Sequence, residues 1–261
     1  MKKIAFLTLL AFVLLLSSCD NFYSNSWGKN RDYDPAKIKV NAANVDEWVR
    51  ASVGNPALAR AVAAAIQREL NRQPPLPQNE RLKLLQAGVR LAADSSGLGE
   101  SIFTAGSKTI KDMDFDDLKE GKIKDLLNDL LDDFNAKDGI GAADAIGAML
   151  GGFIENQDTA PRFEKGVADN FKAGDVAEAI LVLVLGELSD GIPPDWENLD
   201  DLNLGISVDD SVDPPQVIVD GDPSENAIAL AAYLNLILDD TTGKYDDNPF
   251  TSAIKDAFIN K

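Results

Sequence analysis

The chain of 261 residues contains no histidine and a single cysteine. Without imidazole there can be no Ser-His-Asp or Cys-His relay, no imidazole general base and no histidine-based zinc site. One cysteine allows no disulfide within the chain, so the fold is expected to rest on core packing. Positive charge is also scarce: 25 Lys and Arg stand against 43 Asp and Glu, a net charge of −18. A body this acidic repels nucleic acid and the headgroups of anionic lipids. The hydrophobic fraction of 45% argues against a globally disordered chain.

The N-terminus has the three parts of a secretory signal. Lys2 and Lys3 precede an apolar run from Ile4 to Leu16, broken only by Thr8, and the small residues Ser17 and Ser18 follow. This run is shorter than the roughly 20 apolar residues a membrane-spanning helix needs. Leu16-Ser17-Ser18-Cys19 resembles the lipobox of bacterial lipoproteins. The resemblance implies cleavage before Cys19, lipidation of its thiol and a chain tethered to an envelope membrane, facing the periplasm or the cell exterior. More than one acyl chain makes such anchoring stable, at about 0.8 kcal/mol per buried CH₂. Asp20 resembles the inner-membrane retention signal of enterobacterial lipoproteins, although other lineages sort by other rules. Acylation would also remove the only thiolate, leaving hard cations on oxygen ligands, such as Ca²⁺ or Mg²⁺, as the metals open to the chain.

Three regions are expected: a signal peptide over 1–18, a polar tether over 19–37, and one acidic all-helical domain over 38–261. Removing 18 of the 261 residues takes away Lys2 and Lys3, so the charge of the remainder falls from −18 to −20. Within the domain, Asn44 is placed to cap a short helix carrying Trp48. Asn55-Pro56 pairs a cap with proline at the first helical position and opens Ala57 to Leu70. A helix from Gln78 to Ala93 shows Leu82, Leu85, Val89 and Ala92 on one face, and a further helix is expected over 98–111. Ile123, Leu126, Leu127, Leu130, Leu131 and Phe134 form an apolar stripe at helical spacing.

Gly139 to Ile154 reads as a helix whose glycines at 141, 147, 151 and 152 suit tight packing. Pro161 to Phe171 reads as another. Asp175 to Leu188 is apolar all round and predicts a central buried helix; a buried strand is the competing reading. Residues 192–223 form a long irregular loop with five prolines, in which Val217-Ile218-Val219 is the only strand-like piece. Ser224 caps Glu225 to Leu238, and Asn248-Pro249 opens the last helix. The fold class is therefore all-α, a multi-helix bundle or irregular array of about nine helices with little or no sheet.

Four features bear on function. Lys172-Ala173-Gly174-Asp175-Val176-Ala177-Glu178-Ala179-Ile180 resembles the turn of a tetratricopeptide repeat. That implies a helical hairpin over 162–188 and a partner-binding surface. Gly99-Glu100-Ser101 resembles the catalytic Glu-Ser of lytic transglycosylases, which implies a glutamate of raised pKa at Glu100 acting on peptidoglycan. The family's Gly-Leu-Met-Gln segment is missing. Acidic runs at Asp112, Asp114, Asp116 and Asp117, and at Asp209, Asp210, Asp213, Asp220 and Asp222, offer oxygen ligands for Ca²⁺. No twelve-residue EF-hand pattern fits either run. The apolar helices 176–188 and 225–238 would serve as core or line a pocket for an apolar ligand. Taken together, these features favour a non-enzymatic, lipid-anchored protein that binds a partner protein in the envelope. Binding of an apolar ligand and peptidoglycan cleavage through Glu100 are the alternatives.

Overall fold

The computed structural model describes residues 33–97, 120–191, 204–246, 248, 250–252 and 254–255. They form a mainly helical body: α1 (Val45–Ser52), α2 (Pro56–Leu70), α3 (Gln78–Ser95), α4 (Glu120–Ala136), α5 (Gly139–Leu150), α6 (Ala173–Gly191) and α7 (Glu225–Leu238). Two antiparallel pairs of short strands accompany them. β1 (Ile154–Glu155) pairs with β2 (Arg162–Phe163), and β3 (Ile206–Asp209) pairs with β4 (Gln216–Val219). Among the described residues no helix is long and apolar enough to cross a membrane.

The helix starts follow local chemistry. The Asn55 side chain accepts from Leu58 N and the Ser224 hydroxyl accepts from Ala227 N, each satisfying an orphan donor of a first turn. Asn44 stands at the N-cap position of α1, but its side chain accepts from Asn41 N and donates to the Lys39 carbonyl instead.

The domain begins inside the stretch expected as tether. Tyr33 packs against the core, and its hydroxyl accepts from Asn55 Nδ2. Arg68 clamps the carbonyls of Pro35 and Ile38 at 3.0 Å each.

Small residues set how closely the helices approach. Ala59, Ala61, Ala63 and Ala65 of α2 are buried, and α2 packs on α3, α5 and α1. A Cβ on Gly88 of α3 would lie 2.6 Å from Met149 Sδ and 2.9 Å from Ile66 Cγ2, so α2, α3 and α5 meet at that glycine. On α5, Gly147 faces the start of α7, where a Cβ would come within 2.5 Å of Asn226 Oδ1. Gly151 and Gly152 do not pack helices. They lie in a 3-10 turn that ends α5, with open space beside them.

α6 and α7 are the centre of the core, as their all-round apolar sequences predict. Val176, Ile180, Val182, Leu183, Val184 and Leu185 on α6 are fully buried, as are Leu230, Tyr233 and Ile237 on α7. α6 is a helix and not a strand, because its backbone groups are satisfied within the element while its side chains meet α3, α4, α5 and α7. In α4 the predicted stripe is seen at Leu130, Leu131 and Phe134, all buried.

Two expectations fail. Residues 161–171 are not a helix: they contain β2, a turn with Gly166 at φ +88°, and a 3-10 turn at Ala168–Asn170. Side-chain bonds hold this path open. Arg162 reaches Asp239 at 2.8 Å and Gln216, while Phe163 packs against Phe171 and Tyr233. The 162–188 hairpin that resembles a tetratricopeptide repeat therefore has no first helix. Secondly, the described part of the 192–223 loop is a β-hairpin, in which Val217-Ile218-Val219 finds its partners in Ile206, Ser207 and Val208.

Candidate functional site

α3 packs on α6, and the charges of Asp94, in the last turn of α3, and of Asp175, in the first turn of α6, both act on Glu178. Arg90 and Asp94 are four residues apart on α3, and Asp175 and Glu178 are three apart on α6, so each pair shares a helix face. The helix begins at Ala173, so Asp175 lies in its first turn. A carboxylate there is favoured by the positive end of the helix dipole.

Glu178 sits one turn deeper and is half-buried. Burial, then the charges of Asp94 and Asp175, push its pKa up to about 8, and Arg90 opposes them only in part. The Asp94 side chain still reaches solvent, yet loss of hydration and the Asp175 charge hold its carboxyl above the usual range against the pull of Arg90. At neutral pH Glu178 thus keeps its proton beside two acidic neighbours. A carboxyl in this state can give up a proton near neutrality, or exchange it for a cationic group that enters the cluster.

Tyr233 is linked to the cluster through Asp175. Burial, and then the Asp175 and Tyr245 charges, raise its phenol pKa well above the ordinary value. The ring is fully buried, edge-on to Phe163 at 5.0 Å and to Phe171 at 5.4 Å. Its hydroxyl has no hydrogen-bond partner. Tyr245, nearby in charge, spends its hydroxyl on the Ala168 carbonyl at 3.1 Å, and burial lifts it to about 12.

The sequence-predicted sites fall elsewhere. Cys19, Glu100, Asp112, Asp114, Asp116 and Asp117 lie outside the described residues, as does the helix expected over 98–111. Asp209, Asp210, Asp213, Asp220 and Asp222 are spread along the β3–β4 hairpin and its flanks. Asp209 accepts from Ser211 N at 2.9 Å and Ser211 Oγ at 2.6 Å, and those bonds hold its pKa low. Asp220 accepts from Ser207 Oγ at 2.7 Å. These acids stitch a turn and a strand pair. Among the described residues no three or more Asp, Glu, Cys or His come together to hold a metal ion. The apolar sides of α6 and α7 are spent on the core.

Asp94 belongs to no motif of the sequence, and Glu178 stands there only within the repeat-like turn. The spacing within each pair is visible in the chain, but not that the two helix ends meet. Comparison of the chain with models of protein families, with curated proteins and with solved structures finds no match.

Proposed function

We propose that the chain is a non-enzymatic, lipid-anchored protein of the bacterial envelope whose helical bundle binds a partner protein through a cationic side chain. The observation that carries the binding reading is the pair Asp94 and Glu178 beside Asp175, where Arg90 offsets the raised pKa of Asp94 and of Glu178 only in part. A lysine or arginine of a partner would take the place of the Glu178 proton. The character of the surface supports a polar mode of recognition. Among the described residues outside the first turns of α4 and the last of α6, only Val53 and Val212 are large, apolar and exposed. The lipobox-like Leu16-Ser17-Ser18-Cys19 supports the anchor.

The anchor is tested by metabolic labelling with a fatty acid and by membrane fractionation. Cys19→Ala is expected to lose the label and leave the membrane fraction; retention of both removes the anchor from the proposal. The site is tested by calorimetric titration of the full chain with an oligolysine peptide in two buffers of different ionisation enthalpy. Binding at pH 7 is expected to release protons and to weaken as the pH falls toward 5. Glu178→Gln should abolish the release. Binding without proton release, or binding unaffected by Glu178→Gln, would set the cluster aside as the contact site.

A further inference from the structure

The second site has the opposite charge and does not depend on the carboxylate cluster. Arg81, in the first turns of α3, is half-buried, and its guanidinium carbon lies 4.5 Å from the centroid of the Phe153 ring. Phe153 is 3% exposed and fixed in the core, so the ring is a firm platform for the cation. Nε of Arg81 is sealed from solvent and has no acceptor. Among the described residues, Arg60, Arg72 and Arg162 each pair with a carboxylate and Arg68 holds two carbonyls; Arg81, like Arg50 and Arg90, has no carboxylate within ion-pair distance, but those two are exposed whereas Arg81 is half-buried. In a chain with 43 acidic residues, an arginine placed this way without a counter-charge calls for a physical account.

The carbonyls of the turn that follows α5 do not supply one. The carbonyls of Gly151 and Ile154 already accept from Gln157 Nε2, at 2.7 and 2.9 Å. The space beside the guanidinium is open instead. Gly152 is exposed, and a Cβ built on it would lie 4.0 Å from Nη2 of Arg81, its only neighbour within that distance. A Cβ on Gly151 would meet nothing within 4 Å.

We propose that Arg81, standing on Phe153 beside the Gly151–Gly152 corner, is a binding site for an oxyanion, the carboxylate or phosphate group of a ligand. The sealed Nε leaves the end-on pair Nη1 and Nη2 as the fork that meets two oxygens at once. Phe153 fixes the guanidinium against the core, and the two glycines leave room for the body of the ligand. A lysine could not do the same, because its ammonium is a point charge without a fork.

The test is a titration of the full-length ¹⁵N-labelled protein with sodium acetate and, separately, with sodium phosphate, chloride holding the ionic strength constant. Saturable shifts of the Gly151, Gly152 and Phe153 amides are expected. They should weaken about tenfold in Arg81→Lys and vanish in Arg81→Met, which keeps the length of the apolar stem. Gly152→Asp should abolish them too, because its own carboxylate would reach Nη2 and fill the fork. This variant keeps the arginine and carries the test if Arg81→Met does not fold. Saturation by phosphate alone assigns a phosphate ligand, and saturation by acetate alone a carboxylate. Shifts that stay linear with both salts, or that survive in both Arg81→Met and Gly152→Asp, overturn the proposal.

Discussion

Asn235 grips the backbone of Val217 from both sides: its Oδ1 accepts from Val217 N at 2.7 Å and its Nδ2 donates to Val217 O at 2.8 Å. The same Nδ2 donates to the Pro161 carbonyl at 2.9 Å. One fully buried side chain of α7 thus fixes β4 and the segment leading into β2. Replacement by leucine, of similar size, would leave an N–H and two carbonyls without partners in the interior. A loss of about 2–4 kcal/mol is expected, from an unmet cost of about 1–3 kcal/mol per group that water relieves in part. Urea unfolding at constant m-value would measure it. An unchanged midpoint would show that water replaces the amide.

Tyr233 is expected to behave in the opposite way. Its hydroxyl is buried without a partner, so Tyr233→Phe removes an unmet desolvation cost and keeps the ring contacts with Phe163 and Phe171. The variant should equal the wild type or exceed it by up to about 1 kcal/mol. Tyr233→Ala should lose about 3–5 kcal/mol through the cavity it leaves. A clear loss in the phenylalanine variant, measured by thermal unfolding, would reveal a water or ligand bound to the hydroxyl.

Glu178 makes the stability depend on pH. Its pKa is about 8 when folded and near the ordinary 4.5 when unfolded. The folded state therefore holds more protons between these values, and stability falls as pH rises from about 4.5 to about 8. Below that window the penalty is absent, and above it the penalty is complete. One pKa unit corresponds to about 1.4 kcal/mol, so even part of the elevation is measurable. Glu178→Gln should flatten this slope and raise stability at pH 8. An unchanged slope between pH 5 and 8 would mean that Glu178 ionises freely in the fold.

Gly186 tests how close α5 and α6 must be. A Cβ there would stand 2.5 Å from Ala143 Cβ. Alanine in a helix interior normally gains about 1 kcal/mol over glycine. Here the clash should reverse the sign and cost about 1–3 kcal/mol. Adding Ala143→Gly should recover part of the loss, a coupling that a double-mutant cycle would read. Additive effects would show that the helices simply shift apart.

The helices were legible because their signals are local. The Asn55-Pro56 start, the Ser224 cap, the 123–134 stripe and the apolar span around Ile180 depend on neighbours within a few residues. Residues 161–171 misled for the same reason. Val167, Ala168 and Phe171 have a helix-like pattern, but Arg162 bonds to Asp239 and Gln216, far along the chain, and Asn235 holds the Pro161 carbonyl. Ile206-Ser207-Val208 gave little warning of a strand, because its pairing with β4 is stabilised by packing on α7. The acidic residues of the hairpin looked like cation ligands because clustering in sequence is not convergence in space.

The spans of the main helices, the acidic balance and the absence of imidazole chemistry follow from composition and from periods of a few residues. Tertiary structure alone decided which charges meet. Asp94 and Glu178 are 84 positions apart, and Glu178 is driven toward neutrality first by its burial in the packed bundle and then by the Asp94 charge that α3 brings to it. Arg81 and Phe153 meet only because α5 ends beside α3. A pKa or a stacked cation depends on distance and hydration, and the fold sets both.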